Sequence, residues 1–152
     1  MQSFLKELPS LAPQKDTLLT IGVFDGLHLG HQHLLRQLLQ KAQSRNLQPC
    51  VLTFRNHPLE VLHPEITLRL IAPMEESLQP IRDLGIELVV PITFTREVSM
   101  LRPQEFVSLL QDRLRMKGLV VGTDFALGHA REGDIQTLQR LSQQRGFTMD
   151  IV

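Results

Sequence analysis

The chain has 152 residues, 42% hydrophobic and 21% charged, which is one domain's worth of globular protein and excludes a disordered tail or a fibrous repeat. Lys+Arg and Asp+Glu number 16 each, so the charge balance lacks the footprint of a general nucleic-acid or acidic-membrane binder. No apolar run approaches the roughly 20 residues that cross a bilayer. Residues Met1 to Glu7 lack an apolar leader core, and the single Cys50 can form neither an internal disulfide nor a multi-cysteine metal site. The expectations are a buried free thiol, a cytoplasmic location, no nucleic acid and no membrane.

In chain order, Leu18 to Val23 is apolar, partly β-branched and stops at the turn-forming Asp25-Gly26, which predicts a buried first strand. From Leu29 onward, Leu34, Leu35, Leu38, Leu39 and Ala42 recur at helical spacing with Gln, Arg and Lys opposite. Cys50 to Phe54 reads as a second strand ended by Asn56-His57-Pro58. Pro58, Pro64 and Pro73 then predict a long irregular loop. Glu75 to Leu84 reads as a helix stopped by Gly85, kinked by Pro80 unless that residue lies in the first turn. Ile86 to Ile92 is a third strand. Pro103 opens a helix carrying Phe106, Val107, Leu109, Leu110 and Leu114, closed by Gly118. Leu119 to Val121 is a short fourth strand ending at Gly122. Asp134 caps a last helix with Ile135, Leu138 and Leu141 on one face, and Phe147 to Val152 is a final strand after Gly146. Alternating strands and crossover helices predict an α/β fold with a mostly parallel, right-handed five-stranded sheet.

The segment Gly22-Val23-Phe24-Asp25-Gly26-Leu27-His28-Leu29-Gly30-His31 lies where the first strand hands over to the first helix. Ligands of open parallel sheets bind at the carboxyl ends of strands, and a helix N-terminus favours phosphate. His28 and His31, three residues apart, share a helix face and can donate hydrogen bonds to one polyphosphate. Gly22, Gly26 and Gly30 remove side chains where a backbone turns or lies against a ligand. Spacing alone leaves two solvated surface histidines as the alternative. A zinc site is disfavoured, since no HExxH or cysteine partner supplies further ligands. His33 falls on a different face, toward solvent.

This segment resembles the HxGH motif of the nucleotidylyltransferase superfamily, and in its fuller form, GxFDGxHxGH, the adenylyltransferase (FAD synthetase) module of bacterial bifunctional riboflavin kinase/FMN adenylyltransferases. Thr53-Phe54-Arg55-Asn56-His57-Pro58 is similar to that family's TFxxHP segment. Val121-Gly122-Thr123-Asp124-Phe125-Ala126-Leu127-Gly128, with Arg131-Glu132-Gly133-Asp134, is similar to its VGxDFxFG and following R.G(D/N) segment. The resemblance implies a Rossmann-like nucleotidylyltransferase fold with helices on both faces of the sheet. It also implies transfer of AMP from ATP to FMN with magnesium, giving FAD and pyrophosphate. By that resemblance His28 and His31 hold the ATP phosphates, while Gly22, Phe24, Asp25, Gly26 and Gly30 shape the nucleotide pocket. Phe54, His57, Pro58, Asp124, Phe125 and Leu127 line the flavin side; metal ligands are not assigned.

From the residues themselves, Phe54 and Phe125 read equally as core packing and His57 as a turn residue, whereas Asp124 is a polar residue at a strand end in an apolar setting. Leu127 stands where the family carries a second aromatic, which takes away a stacking surface and keeps an apolar wall. No SSTxIR-like second nucleotide motif follows Asp134. The expectation is a single adenylyltransferase-like domain over residues 1–152, ending before that motif and without a riboflavin kinase domain. Self-association through the C-terminal strand is a further expectation, because an uncovered apolar strand invites pairing. The alternatives are a related HxGH nucleotidylyltransferase with another phosphate acceptor, and a non-catalytic flavin- or nucleotide-binding module.

Overall fold

Thr17–Gly22 (β1) places five buried residues in succession, as a strand covered on both faces of a parallel sheet requires. Around it the computed structural model describes residues 7–8, 14–24, 27, 29–56, 62, 74–128 and 132–152. The other strands are β2 (Gln48–Phe54), β3 (Leu88–Ile92), β4 (Met116–Val121) and β5 (Thr148–Ile151). The helices are α1 (Leu29–Ser44), α2 (Met74–Asp83), the short α3 (Arg96–Ser99), α4 (Pro103–Leu114) and α5 (Ile135–Arg145). The strands form one parallel sheet in the order β3-β2-β1-β4-β5. The chain thus winds outward from β1 in one direction through α1 and α2, then returns to the other side of β1 and winds outward again. β1 and β4 flank the point where that direction reverses.

Alternation along the strands supplies both halves of the core. Leu19, Ile21, Leu52, Val90, Leu119 and Val121 face α4 and α5, meeting Phe106, Leu110, Leu114, Leu138 and Leu141. Leu18, Val51, Val89 and Val120 face the other way, onto Leu35, Leu38 and Ala42 of α1 and Ile81 of α2. Cys50 is a free thiol buried in the first of these layers, where burial pushes its ionisation well above the ordinary thiol range.

The helix ends follow their local chemistry. Asp134 caps α5 by accepting from Thr137 N at 2.9 Å, and Gly146 closes it in the left-handed region at φ 73°. Pro103 is the first residue of α4, whose entry is held by Arg102 N donating to Glu105 Oε1 at 3.0 Å.

Gly118, however, does not close α4. Arg115 takes the left-handed cap at φ 53°, and Gly118 lies inside β4, where a Cβ would come within 2.7 Å of Leu18 Cδ1 and 2.2 Å of Thr148 Oγ1. Glycine is there for close strand packing. Pro80 sits within α2, past its first turn, and the helix continues through it. α3, capped by Thr95 through its bond to Val98 N, is an element that the sequence reading does not contain. Of the proline-bearing loop, His57, Pro58, Pro64 and Pro73 lie outside the described residues.

Candidate functional site

The carboxyl ends of β1 and β4 open into a cleft of about 490 Å³ at the reversal point of the sheet. On one side stand Gly22, Val23 and Phe24, leaving β1, with Gly30, His31, His33 and Leu34 from the first turns of α1. On the other stand Gly122, Asp124 and Phe125, leaving β4, with Val152 beyond β5. Reversal of winding splays the connections after β1 and β4 to opposite faces, so a crevice forms there without any special sequence.

The wall on the β1 side is built by packing. The Phe24 ring is 3% exposed and folds back over Gly22, where a Cβ would lie 3.0 Å from Cζ and 3.1 Å from Cε2. That same ring meets the His31 imidazole edge-on, with centroids 5.0 Å apart and planes at 71°. Glycine at 22 therefore admits the phenylalanine that orients the histidine. α1 carries no acidic residue in its own first turn, and the positive end of its dipole lies at the cleft.

On the β4 side, Phe125 N donates to Gly122 O at 3.3 Å, closing a turn whose tip projects Asp124. Asp124 and Phe125 also form one wall of a second, more open depression of about 410 Å³, bounded by Asp134, Ile135 and Gln136 at the start of α5. Two concavities thus share a partition made by two consecutive residues. Asp124 is the one carboxylate among the described residues lining the main cleft, and no cluster of three metal-ligating side chains occurs among the described residues.

Of the residues singled out in the sequence, Gly22, Phe24, Gly30, His31, Asp124 and Phe125 come together around this cleft. Phe54 stands at the end of β2, beside β1, half-buried against the α4 layer. Leu127 is buried in that same layer, its N–H donating to Gly133 O at 3.0 Å and its carbonyl accepting from Gly133 N at 2.8 Å. It therefore fills core rather than lining either depression. Asp25, Gly26, His28, His57 and Pro58 lie outside the described residues. His33, expected on a solvent face, is exposed but lines the mouth of the cleft. Phe94, absent from the sequence reading, packs edge-on against Phe54 with centroids 5.4 Å apart.

A family model described as FAD synthetase matches residues 10–152. The chain belongs to the FAD synthetase family. Among its relatives, the bifunctional riboflavin kinase/FMN adenylyltransferase of Escherichia coli strain K12 is 39% identical over 139 residues, covering 91% of this chain and 44% of the relative. The protein of that description from Bacillus subtilis strain 168 is 32% identical over 138 residues, covering 90% and 44%. This FAD synthetase family chain therefore spans less than half the length of these relatives. Its fold is similar to a crystal structure described as a macrolide-efflux protein from Streptococcus pneumoniae, with a TM-score of 0.84 and 25% identity over 99% of this chain and 48% of that one. Among the described residues of this family member, no helix is long and apolar enough to cross a membrane.

Proposed function

We propose that this domain transfers AMP from ATP to FMN, releasing pyrophosphate and forming FAD. The observation that carries the reading is the convergence on one cleft of Gly22, Phe24, Gly30 and His31 from the first motif with Asp124 and Phe125 from the last. A terminal oxygen of the FMN phosphate attacks the α-phosphorus of ATP in line. The new P–O bond forms as the bond to the β-phosphate oxygen breaks, and the electron pair leaves with pyrophosphate. The attacking oxygen is already ionised at neutral pH, so no protein base is required and the protein contributes position and charge. His31 donates to the phosphates from a ring held by Phe24, and the α1 terminus adds its dipole. His28 joins His31 in this role by its place in the motif.

Magnesium would be carried mainly by substrate phosphates and water, with Asp124 the carboxylate at the cleft, and would neutralise phosphate charge. The partition of Asp124 and Phe125 separates nucleotide from flavin, with Phe54 on the flavin side. Leu127 supports that wall from the core. Asp25 and Gly26 belong to the nucleotide pocket and His57 and Pro58 to the flavin side, by the same motifs. The proposal covers residues 1–152 as one adenylyltransferase-like domain acting in the cytoplasm on small-molecule substrates. β5, at the sheet edge with Ile151 exposed, is the surface for self-association; a monomer mass across a concentration series in light scattering removes that part.

The test is incubation of the chain with ATP, FMN and magnesium, following FAD by chromatography. FAD is the expected product, and His31→Ala is expected to lower turnover by about 10²–10³-fold, as loss of one charge-stabilising donor does. Turnover with another acceptor while FMN stays inert would point to a different nucleotidylyltransferase. Ligand binding without product would make the domain a binding module. An unchanged His31→Ala would overturn the phosphate assignment.

A further inference from the structure

β2 and β3 end side by side at the same edge of the sheet as the cleft, and their outgoing loops are tied together more closely than sheet pairing demands. Arg55 N donates to Ile92 O at 2.8 Å, adding one rung to the ladder. Asn56 then spans the loops with both ends of its amide: Nδ2 donates to Phe94 O at 2.8 Å, and Oδ1 accepts from Phe94 N at 2.8 Å. Glu7 fastens the neighbouring residue, accepting from Thr93 N at 2.7 Å and Thr93 Oγ1 at 3.0 Å. Within this bracing the rings of Phe54 and Phe94 stand at 89° to each other.

Both rings are half-buried, with one part against the α4 layer and the rest at the strand ends, and Phe125 packs against that layer in the same way. The three phenylalanines follow β3, β2 and β4, so they stand along one side of the strand ends with β1 between the last two. At about 4.8 Å per strand, the row extends over roughly 15 Å. Three partly open rings in a row form a surface for a flat, extended aromatic group at the edge where parallel sheets bind ligands.

We propose that Phe94 is an acceptor-specificity residue, forming with Phe54 the aromatic edge that receives the acceptor's ring system, and that Asn56 is the positioning residue that holds Phe94 there. The inference rests on FMN being the acceptor. Asparagine suits the task because one planar amide offers a donor and an acceptor side by side. Aspartate at 56 would keep the bond from Phe94 N and set a carboxylate oxygen against Phe94 O.

The experiment is titration of FMN against the chain by flavin fluorescence. It is paired with separate KM values for FMN and ATP and a thermal midpoint for each variant. Phe94→Leu is expected to raise Kd and KM for FMN about 3–10-fold, the range of an aromatic contact, with the KM for ATP unmoved. Phe94→Tyr is expected to recover most of the lost affinity. Asn56→Asp is expected to show the same FMN-selective loss with all rings present, which keeps the test open if Phe94→Leu does not fold. If wild-type protein adenylates FMN and neither variant changes its FMN affinity, or both KM values rise together, the inference is overturned while the adenylyltransferase reading stands. If wild-type protein neither binds nor adenylates FMN, both fall.

Discussion

Gly22, Phe24 and His31 form a chain of steric cause: the missing side chain at 22 makes room for the ring at 24, and that ring sets the imidazole at 31. Gly22→Ala places a methyl group 3.0–3.1 Å from the Phe24 ring, which must shift by a few tenths of an ångström and carry His31 with it. On the proposed phosphate role of His31, the expected result is a roughly tenfold or greater fall in kcat/KM with little loss of fold, since small displacements of positioning groups are costly. Steady-state kinetics beside a urea denaturation curve checks it. At this scale the lining of the cleft was legible where it comes from short contiguous segments, as for Gly22, Gly30, His31 and Asp124. Phe94 escaped it because its partners, Phe54 and Asn56, belong to another strand and loop, and only the β2–β3 register brings them together. His33 escaped because helical periodicity assigns a face but does not show how wide the cleft opens at a helix end.

Among the elements, α1 and β5 are joined by charge across the sheet edge. Arg45 makes two hydrogen bonds to Asp150, at 2.9 and 2.8 Å, and Lys41 Nζ lies 3.4 Å from the same carboxylate. The Arg45 hydrogen bonds, ahead of the charge of Arg45 and Lys41, hold the Asp150 carboxyl below its ordinary value. A carboxyl depressed in the folded state stabilises it above the unfolded value, about 4, and that contribution is lost as pH falls through the depressed value. Asp150→Asn is therefore expected to cost up to about 1 kcal/mol at neutral pH, as a partly exposed pair does. The difference from wild type should vanish in acid, measured by denaturation at stepped pH. β1, α1, α4 and α5 were legible because periodicity, Pro103, Asp134 and Gly146 agree on their bounds. α3 was not, since its four residues are too few for a period. Gly118 misled because a left-handed cap is ordinarily glycine, and here Arg115 adopts it.

At the scale of the molecule, an alternating pattern of strands and helices was enough to foresee a parallel sheet, but the order of its strands depends on side-to-side packing that no local pattern encodes. That order puts the cleft between β1 and β4, so a ligand held there bridges the two halves of the sheet. ATP at a hundredfold excess over its Kd is expected to add about 2.7 kcal/mol to unfolding. For a chain of this size that is a rise of roughly 5–10 °C in Tm. Calorimetry of wild type and His31→Ala checks it, the variant being expected to lose most of the rise. The central position of β1 also has a consequence for synthesis. Its six residues, Thr17–Gly22, leave the ribosome long before β4, the strand that completes one side of it and one wall of the cleft. At about 5–20 residues per second, the roughly hundred residues between Gly22 and Gly122 take roughly 5–20 s to emerge. During that interval a strand as apolar as Leu18-Leu19-Thr20-Ile21 has a bare hydrogen-bonding edge, so the nascent chain passes through a stage in which it offers a natural target for chaperones and has no cleft between β1 and β4.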